Sequence, residues 1–256
     1  MEVHAHTHTS DPDSHRGKKK FTHYLWEFLM LFLAVFCGFL AENQREHMVE
    51  QKREKEYIES MLKDLKTDSI RIAGFIGYNN RQVSGLDSLL QNIYHTPYTD
   101  SSIRTMYYLK ETYTLTGGLI IFSKATITQL KNSGGLRLIR KRAAADSIIK
   151  YDISTERVEN QAEGVRLSTQ KLLDLSVKVF DGEYVLDYNS SSDYKDILRS
   201  TKKFSLLTDD TRLIKEYANL VKYKKDVIIN YIRQLRNLQS SNPAIIQFLE
   251  KEYHLQ

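Results

Sequence analysis

No stretch of this chain limits its fold more than residues 28–41, FLMLFLAVFCGFLA, fourteen consecutive apolar or small residues. Carried back to Tyr24, the run has eighteen residues and a single charge, Glu27. As a helix rising about 1.5 Å per residue it is about 27 Å long, close to the roughly 30 Å of a bilayer's hydrocarbon core. Tyr24 and Trp26 open the run, and amphipathic rings favour the membrane interface. Glu27 lies at that edge, one helical turn from His23, where it stays hydrated or pairs. A cleavable signal fits worse, because a cut after Ala41 puts the bulky Phe39 where a small residue is wanted. Lipid attachment at Cys37 is opposed by Phe36 just before it. A soluble core helix is the other alternative, and the length argues against it. The run therefore predicts one uncleaved transmembrane helix over residues 21–41, with the lipid bilayer as its first partner.

Orientation follows from the flanking charges. Arg16, Lys18, Lys19 and Lys20 crowd against the start of the run, whereas Arg45, Lys52, Arg53 and Lys55 follow it at wider spacing. Lys and Arg near a span favour the cytoplasmic side, and long domains cross largely regardless of charge. The tight N-terminal cluster predicts a cytoplasmic N-terminus with the bulk of the chain outside.

Residues 1–20 are polar and aperiodic, and read as a disordered, histidine-rich and basic tail. Residues 42–57 are charged, rich in helix formers and free of glycine and proline, so the membrane helix is expected to continue as a stalk. Residues 58–256 are expected to form the folded domain. There Ile58, Leu62, Leu65, Ser69, Ile72, Ile76, Asn79, Val83, Leu86, Leu90 and Ile93 step by four and three, a heptad-like stripe. Continued backward, the same steps reach Ala41, Cys37 and Ala34. The segment HTPYTDSS breaks the pattern, and Ser101 or Ser102 is a candidate cap for a helix running to about Tyr113. A short helix is expected over residues 124–132, ending at Gly134 in a left-handed turn.

A second long stripe, Tyr151, Thr155, Val158, Ala162, Val165, Thr169, Leu172, Ser176 and Val179, predicts a helix over residues 143–180. A third, Leu213, Tyr217, Leu220, Lys224, Val227, Tyr231, Leu235 and Leu238, predicts one over residues 209–239. Asn242 and Pro243 then start a short terminal helix. GGLIIF and GEYVL are the only strand-like runs. The expected fold is all-α: a transmembrane helix continuing into a long helix, packed in an antiparallel bundle with heptad-like stripes.

The chemistry-bearing patterns are sparse. No GxxxxGK[ST], GxSxG, HExxH or paired CxxC occurs, and histidines beyond residue 41 are isolated. The single cysteine excludes an intrachain disulfide. Although 37 Lys and Arg against 32 Asp and Glu leave a net charge of +5, the charges are interspersed, with no basic stripe suited to nucleic acid. The expectation is a non-enzymatic protein with no cofactor. His4, His6 and His8 alternate in the tail, which puts three imidazoles on one side of an extended chain and makes them candidate metal ligands. A hydrated tail without bound metal is the alternative. Ala34, Cys37, Gly38 and Ala41 form a small face on the anchor, and small faces let membrane helices approach closely, so they are candidates for self-association. The tyrosines read as core and boundary packing.

WEFLMLFLAVFCGFLAENQREH followed by REKEYIESMLKDLKTD, and later TQLKNSGGLRLIRKR, resemble a group of uncharacterised single-pass membrane proteins common in Bacteroidota. The resemblance implies a bacterial inner-membrane location and carries no activity or site residue. The leading expectation is an envelope protein with an interaction or scaffold role, its partners a second copy or other envelope proteins. One alternative is an extracytoplasmic sensory module, since the general shape resembles the ligand-binding bundles of chemoreceptors. Another is a metal-linked accessory protein using the histidine cluster.

Overall fold

In the computed structural model, residues 16–115, 117–188 and 194–255 are described. Helix α1 runs from Arg16 to His95. The others are α2 (Asp100–Tyr113), α3 (Ala125–Asn132), α4 (Arg142–Val179), α5 (Asp196–Arg199) and α6 (Thr211–Tyr253). Short 3₁₀ turns occupy Gly135–Leu138 and Gly182–Tyr188. No strand forms among the described residues, so the fold is all-α. The chain divides after Arg53 into two compact units.

The first unit is the N-terminal part of α1. The helix begins at Arg16, within the expected tail. Lys18, Lys19 and Lys20 are good helix formers and run into the apolar stretch without a break. Its best 18-residue window has a mean hydropathy of 2.0 and no buried residue, so it is a candidate membrane span by length and composition. Phe28, Phe32 and Phe36 stack along one side, with ring centroids 6.3 and 5.9 Å apart. His23 Nε2 sits 3.2 Å from Glu27 Oε1.

The second unit, Glu54–Gln256, is the bundle. It starts one turn before the first stripe position expected, because Glu54 is buried there. Its Oε1 accepts the Arg140 N–H at 2.9 Å and the Tyr253 hydroxyl. Helix directions follow from such pairs. Lys66 meets Glu250, Ser69 meets Asn242, Asp87 meets Lys225 and Tyr94 meets Asn219, so α6 runs antiparallel to α1. Phe180 meets Tyr217, while a Cβ on Gly164 would touch Val227, so α6 is antiparallel to α4 as well. Helices α1 and α4 therefore run the same way, and the segment between them is a crossover carrying α2 and α3.

The core is filled from within one chain. On α1 the deepest row is Met61, Leu65, Asp68, Ile72, Phe75, Asn79, Gln82, Leu86, Leu89 and Ile93, again in steps of four and three, and all but Phe75 are buried. It shares every seventh residue with the expected stripe. The other half is shifted by one position, so Ser69, Ile76 and Val83 are only half-buried at its edge. The stripes of α4 and α6 are buried at most expected positions, Lys224 included, while Thr169, Leu213 and Leu220 are half-buried beside the deeper Ser168, Ile214 and Val221.

Three local expectations change. The α2 cap is Thr99, and Ser102 supplies the reciprocal half of a capping box, its Oγ accepting the Thr99 N–H at 2.8 Å. Helix α6 does not stop before Pro243 but carries it internally to Tyr253. A proline there lacks an N–H and crowds the carbonyl one turn back. Burial of Asn242 and Leu249 on either side holds the helix together, with the Asn242 amide donating to Ser69 Oγ at 3.3 Å. The Ser240 and Ser241 hydroxyls take up carbonyls in the turn before it. Of the strand-like runs, GEYVL becomes a 3₁₀ turn and GGLIIF forms neither a helix nor a strand. Gly134 takes the left-handed conformation expected, φ +67°.

At the end of the bundle away from Glu54, Tyr107, Phe180, Tyr184, Phe204 and Tyr217 pack mostly edge to face, with centroids 4.8–5.5 Å apart. Tyr107 donates to the Ser205 carbonyl at 3.0 Å and accepts the Asp181 N–H at 2.7 Å.

Candidate functional site

The most unusual construction in the bundle is segment 117–124, which we term the strap: it is neither helix nor strand and opens in a tight turn, the Leu119 N–H donating to the Gly117 carbonyl at 3.0 Å. An extended backbone inside a helical bundle has no ladder to satisfy its peptide groups, and each group buried unpaired costs about 1–3 kcal/mol. Here the long helices supply side chains instead. The Asn79 amide donates to the Gly118 carbonyl at 2.8 Å, and the Ile120 N–H donates to the Tyr231 hydroxyl at 3.0 Å. Arg71 Nη1 donates to the Ile121 carbonyl and to Ser123 Oγ, both at 3.1 Å. The Ser123 N–H is shared by the two oxygens of Asp68 at 3.0 and 3.1 Å.

Asp68 is the hub. Its carboxylate is fully buried, accepts the Tyr151 hydroxyl of α4 at 2.7 Å and lies 3.6 Å from Arg71. One side chain thereby ties α1, the strap and α4 together.

The strap alternates as an extended chain must, with period two. Gly118, Ile120 and Phe122 point inward and are buried, whereas Ile121 is 81% exposed. Gly118 lies so close to Tyr78 that a Cβ would sit 2.2 Å from the ring, which only glycine allows. The groove thus accepts a small, an aliphatic and an aromatic residue at alternate positions. It holds the main chain between them by polar side chains.

Just before the strap, Lys224 of α6 is fully buried and its ammonium donates to the carbonyl of Thr114, the residue that ends α2. A cation at a helix C-terminus is favoured by the helix dipole. Burial still pushes the Lys224 ammonium down to about 8. Burial also pushes the phenols of Tyr107, Tyr151, Tyr217 and Tyr231 above their ordinary range.

The two effects have opposite signs. Below about pH 8 the folded protein holds a proton on Lys224 at a cost. The unfolded chain keeps that proton until about pH 10.4, so stability rises with pH across the interval. Above about pH 10 the unfolded chain ionises tyrosines that the folded protein keeps neutral, so stability is lost. The expected result is a gain of about 1 kcal/mol between pH 7 and 9, then a fall above pH 10. Lys224→Met should abolish the gain and keep the fall. Urea midpoints across that pH range check both.

Of the residues expected from sequence to carry function, Ala34, Cys37, Gly38 and Ala41 share one exposed face of α1, opposite the phenylalanine stack. A Cβ on Gly38 would meet nothing within 4 Å. His4, His6 and His8 lie outside the described residues. Sequence reasoning did not single out Asp68, Asn79, Arg71 and Tyr231 as a group. The signal was present in the second register of the α1 heptads, where polar residues stand at core positions. No family model, curated protein or solved structure matches the chain.

Proposed function

We propose that the protein is a single-pass inner-membrane protein that holds a helical bundle on the extracytoplasmic side and works through contacts with other proteins. The observation that carries this reading is the apolar window of α1, with mean hydropathy 2.0 and no part of it buried. Such a surface is stable in lipid and costs about 25 cal/mol for each Å² left in water. The basic cluster Arg16–Lys20 supports a cytoplasmic N-terminus. Because the bundle fills its stripes from within one chain, self-association draws on other surfaces. The small face at Ala34, Cys37, Gly38 and Ala41 is the first of these.

The test is a pair of reporters fused after Gln256, one active only outside the cytoplasm and one only inside. Activity of the outside reporter alone supports the reading. Activity of the inside reporter alone reverses the orientation and moves the partners to the cytosol. Oxidative crosslinking of Cys37 in native membranes tests the small face. A covalent dimer is expected, and Gly38→Leu should reduce it.

A further inference from the structure

The strap is held the way a bound peptide is held, and we propose that it is a built-in occupant of a peptide groove that an extended segment of a partner protein enters in its place. The inference rests on the interaction reading above and names the chemistry of the partner. Recognition of an extended peptide needs donors and acceptors for its main chain and pockets for alternate side chains. Both are present. Asn79, Tyr231, Arg71 and Asp68 contact only main-chain groups and one hydroxyl of the strap, so they read backbone rather than sequence. The inward positions set the specificity. Tyr78 forces glycine or a comparably small residue at the first, and the buried seats of Ile120 and Phe122 take an aliphatic and an aromatic residue. The partner segment is therefore uncharged and extended, with the pattern small–x–aliphatic–x–aromatic.

The strap is bonded to the bundle by side chains rather than by a ladder or a helix, so its release breaks few main-chain bonds within regular structure. Ile121 is exposed to solvent and offers a first contact. While the strap is seated, the groove's apparent affinity for a competitor is reduced by the fraction of molecules in which it is open.

The experiment uses the full chain in lipid nanodiscs and a fluorescein-labelled peptide, GGLIIFSK, with a control peptide carrying aspartate at the three inward positions. Phe122→Ala loosens the strap and vacates the pocket that the peptide's phenylalanine fills. The expected result is binding of GGLIIFSK at least about tenfold tighter to Phe122→Ala than to the unaltered chain, with the control peptide inert. A Phe122→Ala chain that keeps its melting transition yet binds neither peptide overturns the proposal.

Amide hydrogen exchange on the unaltered chain decides the matter should that variant fail to fold. The Ile120 and Ser123 amides should exchange at least about a hundredfold faster than Leu65 and Ile228. Equal rates would mean that the strap leaves only on global unfolding, and the proposal falls. That outcome leaves the membrane-anchored interaction reading standing, because the reporter fusions test it separately.

Discussion

Replacing Asp68 with alanine is expected to lower the unfolding free energy by about 3–5 kcal/mol, one of the largest effects of any single substitution in the bundle. The carboxylate accepts both the Ser123 N–H and the Tyr151 hydroxyl in a fully buried position. Its loss orphans two donors, each costing about 1–3 kcal/mol, and leaves a cavity beside them. Asp68→Asn keeps an acceptor for Ser123 and should cost only about 1–2 kcal/mol. Tyr151→Phe removes one of the two donors. The double substitution Asp68→Ala with Tyr151→Phe should therefore cost less than the sum of the singles, by about 1 kcal/mol or more. Urea unfolding in a mild detergent, followed by circular dichroism, measures the cycle. Additive costs would show that the Tyr151 bond contributes nothing to the hub.

Charge in the apolar part of α1 should have a comparable effect on a different equilibrium. Phe32 lies in the middle of the run, stacked between Phe28 and Phe36. An aspartate at the centre of a membrane helix costs about 3–4 kcal/mol relative to phenylalanine on insertion scales. Phe32→Asp combined with Val35→Asp should therefore shift the chain from the carbonate-resistant membrane pellet to the supernatant. Phe32→Leu should leave it in the pellet. A doubly charged variant that stays in the pellet would remove the case for this segment as the anchor.

The fold was largely legible in the sequence because three long stripes keep a helical period and glycine or proline marks most of the turns. What the sequence obscured has one physical cause. Reading a stripe by hydrophobicity favours Val83 and Leu90 over Gln82 and Leu89, which lie deeper, and places Ser69 where Asp68 belongs. A polar residue reaches a core only when something there bonds to it, and here that is the main chain of a segment far away in sequence. Asp68 cannot be recognised as buried until the strap is known to lie against it, and Asn79, though it falls on the expected stripe, has no visible partner until then. The strap in turn reads as a strand, which in the absence of a neighbouring strand looks like an error. Pro243 failed for a related reason: local backbone chemistry predicts a break, and burial of Asn242 and Leu249 overrides it. The small face of the anchor was legible as a pattern, but a pattern of small residues on one helix does not identify what approaches it.

The tie between Glu54 and Tyr253 joins residues 199 apart in the chain. The first turn of the bundle therefore cannot be completed until the end of α6 has left the ribosome. Ile58, Leu65 and Ile72 must wait for α4 and α6 to cover them, since α1 and α4 are parallel and α6, antiparallel to both, comes last in order. A chain delivered N-terminus first thus exposes its longest apolar seam throughout synthesis. Its yield in the cell should depend on holdase chaperones more than its final stability suggests.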